Sequence, residues 1–350
     1  MTALKNSTGK ITMLADGFVD EVWEVVNTRS DLNNYTLYSQ MKQYAERIIS
    51  SGTGGVGMEL ISKRRVFGGF TVNIGYAAAR LGVDTTVIGV YGKDSLDPIF
   101  DEVEKECKVF SIGNPATTHV FEFDDGKILM SHMEAVQNLN WERIVNFVGL
   151  DKIKSLLAES NIIGVGYWSL LPAFDEIFDN VCANIPNDGK ERRFFFDFAD
   201  FLKKDAASLN ISLQKLKEKN DTFPMTLSVN EHEAAALFAA QNETFDDKGR
   251  SITTKTDDVR KNLGLDELVI HSPTFAVATS SKEAPAFADA VYCEKPLRTA
   301  GAGDSFNGGY IASTLAGLSL HERLEVANAA VGYFVRNAAY PKIEDLKLRT

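Results

Sequence analysis

The densest chemical signal in the chain is Thr299-Ala300-Gly301-Ala302-Gly303-Asp304-Ser305-Phe306-Asn307-Gly308-Gly309-Tyr310. Small residues ahead of an acid, with an apolar periodic run behind it, make a glycine-poised loop entering a helix. No bulky side chain blocks approach to the N–H groups of Gly301, Ala302 and Gly303. A helix N-terminus adds partial positive charge, so the loop suits an anion such as a phosphate oxygen. Asp304 stands beside that hole, placed to take a proton from an attacking hydroxyl. The alternative is an Asp that only complements the helix dipole. Gly301, Gly303, Gly308 and Gly309 around it favour function.

Other segments carry weaker signals. Gly52-Thr53-Gly54-Gly55-Val56-Gly57 matches G-x-G-x-x-G literally. A dinucleotide site needs strand, tight turn and helix, whereas here a helix precedes. Met58 and Glu59 stand where a P-loop needs Lys and Ser/Thr, so the segment reads as a flexible loop. His119, His132, His232, His271 and His321 form no H-E-x-x-H pair, and each reads as a packed or surface histidine. Asn230 with Glu233 three residues on is a capping box.

The elements that must position these residues alternate. Lys10–Ala15, Thr85–Val90, Ile162–Tyr167, Arg193–Asp197, Thr226–Val229, Leu268–His271 and Phe275–Thr279 read as strands. Helical runs are 38–50, Asn73–Leu81, Trp141–Glu159, Phe174–Ile185, Glu231–Ala240 and Leu320–Ala339. Such alternation predicts a mostly parallel sheet with helices on both faces. His119–Phe123 and Lys127–Met130, joined by Asp124-Asp125-Gly126, predict a hairpin projecting from it. The acidic run Asp16–Asp20 reads as a turn, and 241–258 as the most mobile loop.

Composition narrows the class. The 350 residues carry 37 Lys+Arg against 48 Asp+Glu, a net charge of −11, which argues against nucleic acid and anionic membranes as partners. Cys107, Cys182 and Cys293 are isolated, so neither a zinc knuckle nor a disulfide framework is at hand. The N-terminus lacks an apolar signal region, and the most apolar stretch is too short to span a bilayer, which predicts a cytoplasmic protein.

The 299–310 segment resembles the C-terminal signature of the ribokinase-like (PfkB) carbohydrate kinase family, close to D-T-x-G-A-G-D-x-F-x-G-G. Gly68-Gly69-Phe70-Thr71-Val72-Asn73, running into Ala77–Gly82, resembles the family's N-terminal Gly-Gly motif. The resemblance implies one three-layer α/β/α domain over 1–350, with a mostly parallel central sheet. A small β lid would be built from 18–36, 60–68 and 118–130. It implies ATP-dependent phosphorylation of a sugar-like hydroxyl, with Asp304 as base and Gly301, Ala302 and Gly303 as anion hole. Asp20, Gly69 and Asn73 match acceptor contacts; for Asp20 a turn-capping role is the alternative. Asn230-x-x-Glu233 resembles the family's magnesium motif, with Glu233 toward the metal and Thr299 and Asn328 added on the nucleotide side. Arg298 stands where the family usually has Asp. Ser272-Pro273-Thr274 replaces a glycine-rich turn at the nucleotide edge. Two other readings stay open: a nucleoside kinase, favoured by Phe70 and Trp168 as rings that stack on a base, and a non-catalytic relative that binds or assembles. A homodimer through lid strands is a further expectation.

Overall fold

A computed structural model describes residues 2–200, 203–245, 250–290 and 292–347. Its strands in chain order are β1 (Lys10–Leu14), β2 (Phe18–Arg29), β3 (Tyr35–Leu37), β4 (Glu59–Gly68), β5 (Asp84–Gly89), β6 (Lys108–Ser111) and β7 (Ala116–Phe123). They continue with β8 (Gly126–His132), β9 (Ile162–Val165), β10 (Arg193–Asp197), β11 (Met225–Asn230), β12 (Glu267–His271), β13 (Phe275–Ser280) and β14 (Ala286–Asp289). The main sheet runs β14-β13-β12-β11-β10-β9-β1-β5-β6, parallel except where β13 and β14 turn back at one edge.

The central strands are short apolar runs buried on both faces, as a helix-covered parallel sheet requires, while the edge strands β6 and β14 are partly exposed. Alternate residues feed two cores. Leu14, Ile163, Phe194, Phe196 and Ile270 point to one, and Met13, Ile162, Phe195 and Val269 to the other. Helices Phe70–Arg80, Ala302–Leu315 and Leu320–Asn337 cover the second face. Gly309 serves this packing: a Cβ there would sit 3.0 Å from Ala327 Cα. Gly308 likewise admits the backbone of the 70–80 helix, with Ala78 N 3.0 Å from its missing Cβ. Both glycines therefore act in helix packing.

The smaller sheet holds β3, β2, β7 and β8, with β4 on the other side of β2. Its strands occupy Phe18–Arg29, Tyr35–Leu37, Glu59–Gly68, Ala116–Phe123 and Gly126–His132, overlapping the segments 18–36, 60–68 and 118–130 and overrunning them by one or two residues. The β7–β8 hairpin turns through Asp124 and Asp125. Val25, Tyr38, Tyr44 and Phe121 form its own small core.

Several boundaries differ from the sequence reading. The Asp16–Asp20 run is not one turn, since Asp20 lies inside β2 opposite Val66 and Thr118. The 141–159 helix is two, Trp141–Val148 and Leu150–Glu159, broken at Gly149 with φ +85°. Helix Ala206–Asn220 was not expected, and a helix begins at Arg250 inside the supposed loop, of which 246–249 lie outside the described residues. Among the described residues no helix is long and apolar enough to cross a membrane.

Candidate active site

The candidate residues gather at the carboxyl ends of the parallel strands, where open α/β sheets bind ligands. Asp16 follows β1, Tyr167 follows β9, Asp197 ends β10, Asn230 ends β11 and His271 ends β12. The helix Ala302–Leu315 begins among them. Its cap Gly301 adopts φ +88°, a left-handed conformation suited to glycine, and no side chain caps this end. The Ala302 N–H already donates to the Thr299 carbonyl at 3.1 Å. Among the described residues the amides of Gly301, Gly303 and Asp304 have no acceptor, so of the three amides the sequence suggests only that of Ala302 is engaged.

Asp304 is 5% exposed. Its Oδ2 accepts Asn73 Nδ2 at 2.8 Å and its Oδ1 accepts the Tyr167 hydroxyl at 2.9 Å. Burial pushes its carboxyl up to about 6; those two donors pull against burial, while Asp16 adds to it. Asn73 Oδ1 is buried with no partner, an unsatisfied acceptor beside Asp304. Gly69 caps the 70–80 helix at φ +102°, and a Cβ there would lie 3.0 Å from Asp16 Oδ1. Asp16 escaped the sequence reading as a site residue. Its carboxylate accepts the N–H groups of Phe70 (3.0 Å) and Thr71 (2.9 Å) at the mouth of that helix. Asp20 lies against Gly68, and burial pushes its carboxyl to about 6 despite Arg298 and Lys127.

Behind Asp304 lies a second acidic group. The Asn230–Glu233 capping box forms in full: Asn230 Oδ1 accepts the N–H groups of His232 and Glu233, and Glu233 Oε2 accepts Asn230 N–H at 2.9 Å. Burial pushes Glu233 up to about 7. Asp197 is also raised, by burial and then by the charges of Glu233 and Asp304. It accepts Asn307 Nδ2 at 3.0 Å, and Asn307 accepts the Ser228 hydroxyl at 2.6 Å. Tyr167, Asp197 and Asn307 were missed because each is near only through the fold. The acid ending β10 and the Asn of the 299–310 segment were the available signals.

Two cavities meet beside this cluster, and Asp304, Asn73, Gly69 and Asp20 line neither of them. One of about 710 Å³ is lined by Asn230, His271, Pro273, Thr299, Ala302, Gly303 and Asn328 among others. The other, about 810 Å³, lies between the lid and 294–299, with Lys63, Glu122 and Arg298 on its walls. Lys127, Glu294, Pro296 and Thr299 line both. Within the 271–276 turn, Ser272 Oγ accepts the N–H groups of Thr274 and Phe275, and Ser272 N–H bonds the Phe275 carbonyl. Pro273 has no N–H to offer. Phe70 and Trp168, the rings that favoured a nucleobase, are 0% and 1% exposed inside the two cores. In this structure neither is open to a ligand.

Comparison with known proteins gives a consistent result. The model of the prokaryotic ketohexokinase family matches residues 4–349. A ketohexokinase of Haloferax volcanii is 25% identical over 344 residues, covering 97% of this chain and 90% of that protein. Arabidopsis thaliana ribokinase with ribose and ATP superposes at a TM-score of 0.67 and 16% identity, over 97% of each chain. An Escherichia coli protein described as a ribokinase II, in complex with ATP and Mg2+, gives 0.63 and 15%, over 97% of this chain and 96% of that one.

Proposed function

The chain belongs to the prokaryotic ketohexokinase family of ribokinase-like carbohydrate kinases, and from that premise we propose that it transfers the γ-phosphoryl group of ATP to a ketohexose hydroxyl, with Asp304 as base. The strongest support is the buried Asp304 carboxylate at a helix N-terminus, where the Gly303 and Asp304 amides are open. Asp304 takes the hydroxyl proton as the sugar oxygen bonds to the γ-phosphorus. The bond from that phosphorus to the departing oxygen breaks, and ADP leaves with the electron pair. The Gly303 and Asp304 amides, with the Gly301 turn beneath them, meet the charge on the phosphoryl oxygens.

The acceptor binds between lid and main sheet, its hydroxyls shared by Asp20, the Gly69 turn and Asn73 Oδ1. Asn230, Thr299 and Asn328 border the nucleotide. The Lys127 ammonium makes no ion pair or hydrogen bond among the described residues, although Asp20, Glu122 and Asp304 act on it. It is therefore free to face phosphate from the lid. The donor set fits Mg2+: Glu233 and Asp197 are crowded acids whose mutual repulsion a cation relieves. Among the described residues no three His, Cys, Asp or Glu side chains form a ready-made cage. Mg2+ is typically held by one or two carboxylates with waters and substrate phosphate, and it neutralises charge on the phosphates when bound. One domain over 1–350 closes through the lid segments 18–36, 60–68 and 118–130 and excludes water.

The test is ADP release with MgATP across D-fructose, D-tagatose, D-glucose, D-ribose, fructose 6-phosphate and adenosine. A ketohexose is expected to give the highest kcat/KM, and Asp304→Asn to lower its kcat by about 10²–10⁴-fold. Preference for adenosine, or normal turnover by Asp304→Asn, overturns the reading.

A further inference from the structure

We propose that Tyr167 is the positioning residue of the base, holding the Asp304 carboxylate in one plane from the side opposite Asn73; this rests on Asp304 being the base. The two donors address different oxygens, Tyr167 Oη at Oδ1 (2.9 Å) and Asn73 Nδ2 at Oδ2 (2.8 Å). A carboxylate held at both oxygens cannot rotate about its Cβ–Cγ bond without losing one of them, and each oxygen keeps a lone pair for the incoming proton.

The backbone is built to bring the phenol there. Gly166 precedes Tyr167 at the end of β9, and a Cβ on it would lie 3.1 Å from Asp16 Oδ2 and from the Leu14 carbonyl. Any larger residue would push the Tyr167 segment away from β1. Phe70 meets the Tyr167 ring edge-on at 5.7 Å and fixes its tilt. Burial and the charges of Asp304, Asp197 and Asp16 hold the phenol well above its ordinary value of 10, so it remains a donor at every working pH.

A donor to the charged form favours that form. Tyr167 and Asn73 thus oppose burial and Asp16, which favour the neutral acid. The remaining charged groups facing Asp304 are Arg298, Lys127, Asp197 and Glu233, with the neutral Tyr340 phenol beside them. Loss of the phenol oxygen leaves the carboxylate with one fixed donor, and protonation then begins at higher pH.

The experiment compares native protein, Tyr167→Phe and Asp304→Asn with D-fructose and MgATP from pH 5 to 9. In parallel, the Asp304 carboxyl stretch is followed as the infrared difference between each Asp304-containing protein and its Asp304→Asn counterpart. That measurement needs no turnover. Tyr167→Phe is expected to move both the acid limb of kcat and the infrared midpoint upward, on the order of one pH unit. The KM for fructose should stay within about twofold, because the phenol is used by Asp304 and not by sugar. Site-specific 3-fluorotyrosine at 167, a stronger donor of the same shape, should move the midpoint the other way; it covers the case in which Tyr167→Phe does not fold. An unmoved midpoint in these variants overturns the Tyr167 proposal while leaving the base intact. Normal turnover by Asp304→Asn overturns the base itself, and the Tyr167 proposal with it.

Discussion

Burial pushes Asp16, Asp20 and Asp304 up to about 6 and Glu233 to about 7, and Asp197 is raised beside them. Each group binds its proton more tightly folded than unfolded. The stability they contribute is therefore complete below about pH 4 and is lost as the pH rises through 6 to 7. A displacement of about two units corresponds to roughly 1–3 kcal/mol per group at pH 8. The site is held together against its own charge. The apo protein is thus expected to melt lower at pH 8 than at pH 5. Asp197→Asn, which keeps an amide able to bond Asn307, should raise Tm at pH 8 and leave it nearly unchanged at pH 5. Thermal melts across that range, with and without Mg2+ and a non-hydrolysable ATP analogue, decide the matter. If Asp197→Asn is no more stable at pH 8 than the native protein, the carboxylates are not in conflict.

The helix Ala302–Leu315 and the strand ends around it were legible because their signal is local. Gly301 before Asp304, and apolar periodicity after it, stand within one segment. What stayed hidden depends on distant partners. Asp16 looked like a turn residue until the 70–80 helix placed two amides on it. Phe70 and Trp168 looked like stacking rings because an aromatic side chain does not state whether it faces core or cavity. The lid strands β2 and β4 mix charged and apolar residues, since one face is open, so their periodicity was weak. The 271–276 turn was legible by its missing glycines, and the structure sharpens the consequence. Ser272, Thr274 and Phe275 spend their N–H groups inside the turn and Pro273 has none, so no backbone donor there can read a purine edge. ATP and GTP should bind within about tenfold of each other, with affinity carried by phosphate contacts at 301–304. Calorimetry with non-hydrolysable ATP and GTP analogues, Mg2+ and D-fructose measures it. Strong ATP selectivity would mean that adenine is recognised from another wall of the cavity.

At the scale of the molecule, two edge strands of the lid, β4 and β8, differ in protection. β4 presents Lys63, Arg64 and Arg65, each tied to an acid: Lys63 to Glu24 and Glu122, Arg64 to Glu122, and Arg65 to Asp97. Such charge discourages pairing with another strand. β8 lacks that protection. Among the described residues it pairs only with β7, and it exposes Leu129 (53%) and Met130 (52%). An unpaired edge with apolar side chains is satisfied by a second copy of itself about a two-fold axis. The protein is therefore expected to be a homodimer through the lid, and light scattering after gel filtration should give twice the 38.5 kDa chain mass. Leu129→Asp with Met130→Asp should give monomers. β8 also carries Lys127 over the junction of the two cavities, so loosening the strand should lower kcat by more than tenfold while nucleotide binding stays close to native. A monomeric native protein at micromolar concentration removes the dimer. A dimer that the double substitution leaves intact moves the interface off β8. Monomers with unchanged kcat would separate assembly from catalysis and leave the lid rigid enough to hold Lys127 alone.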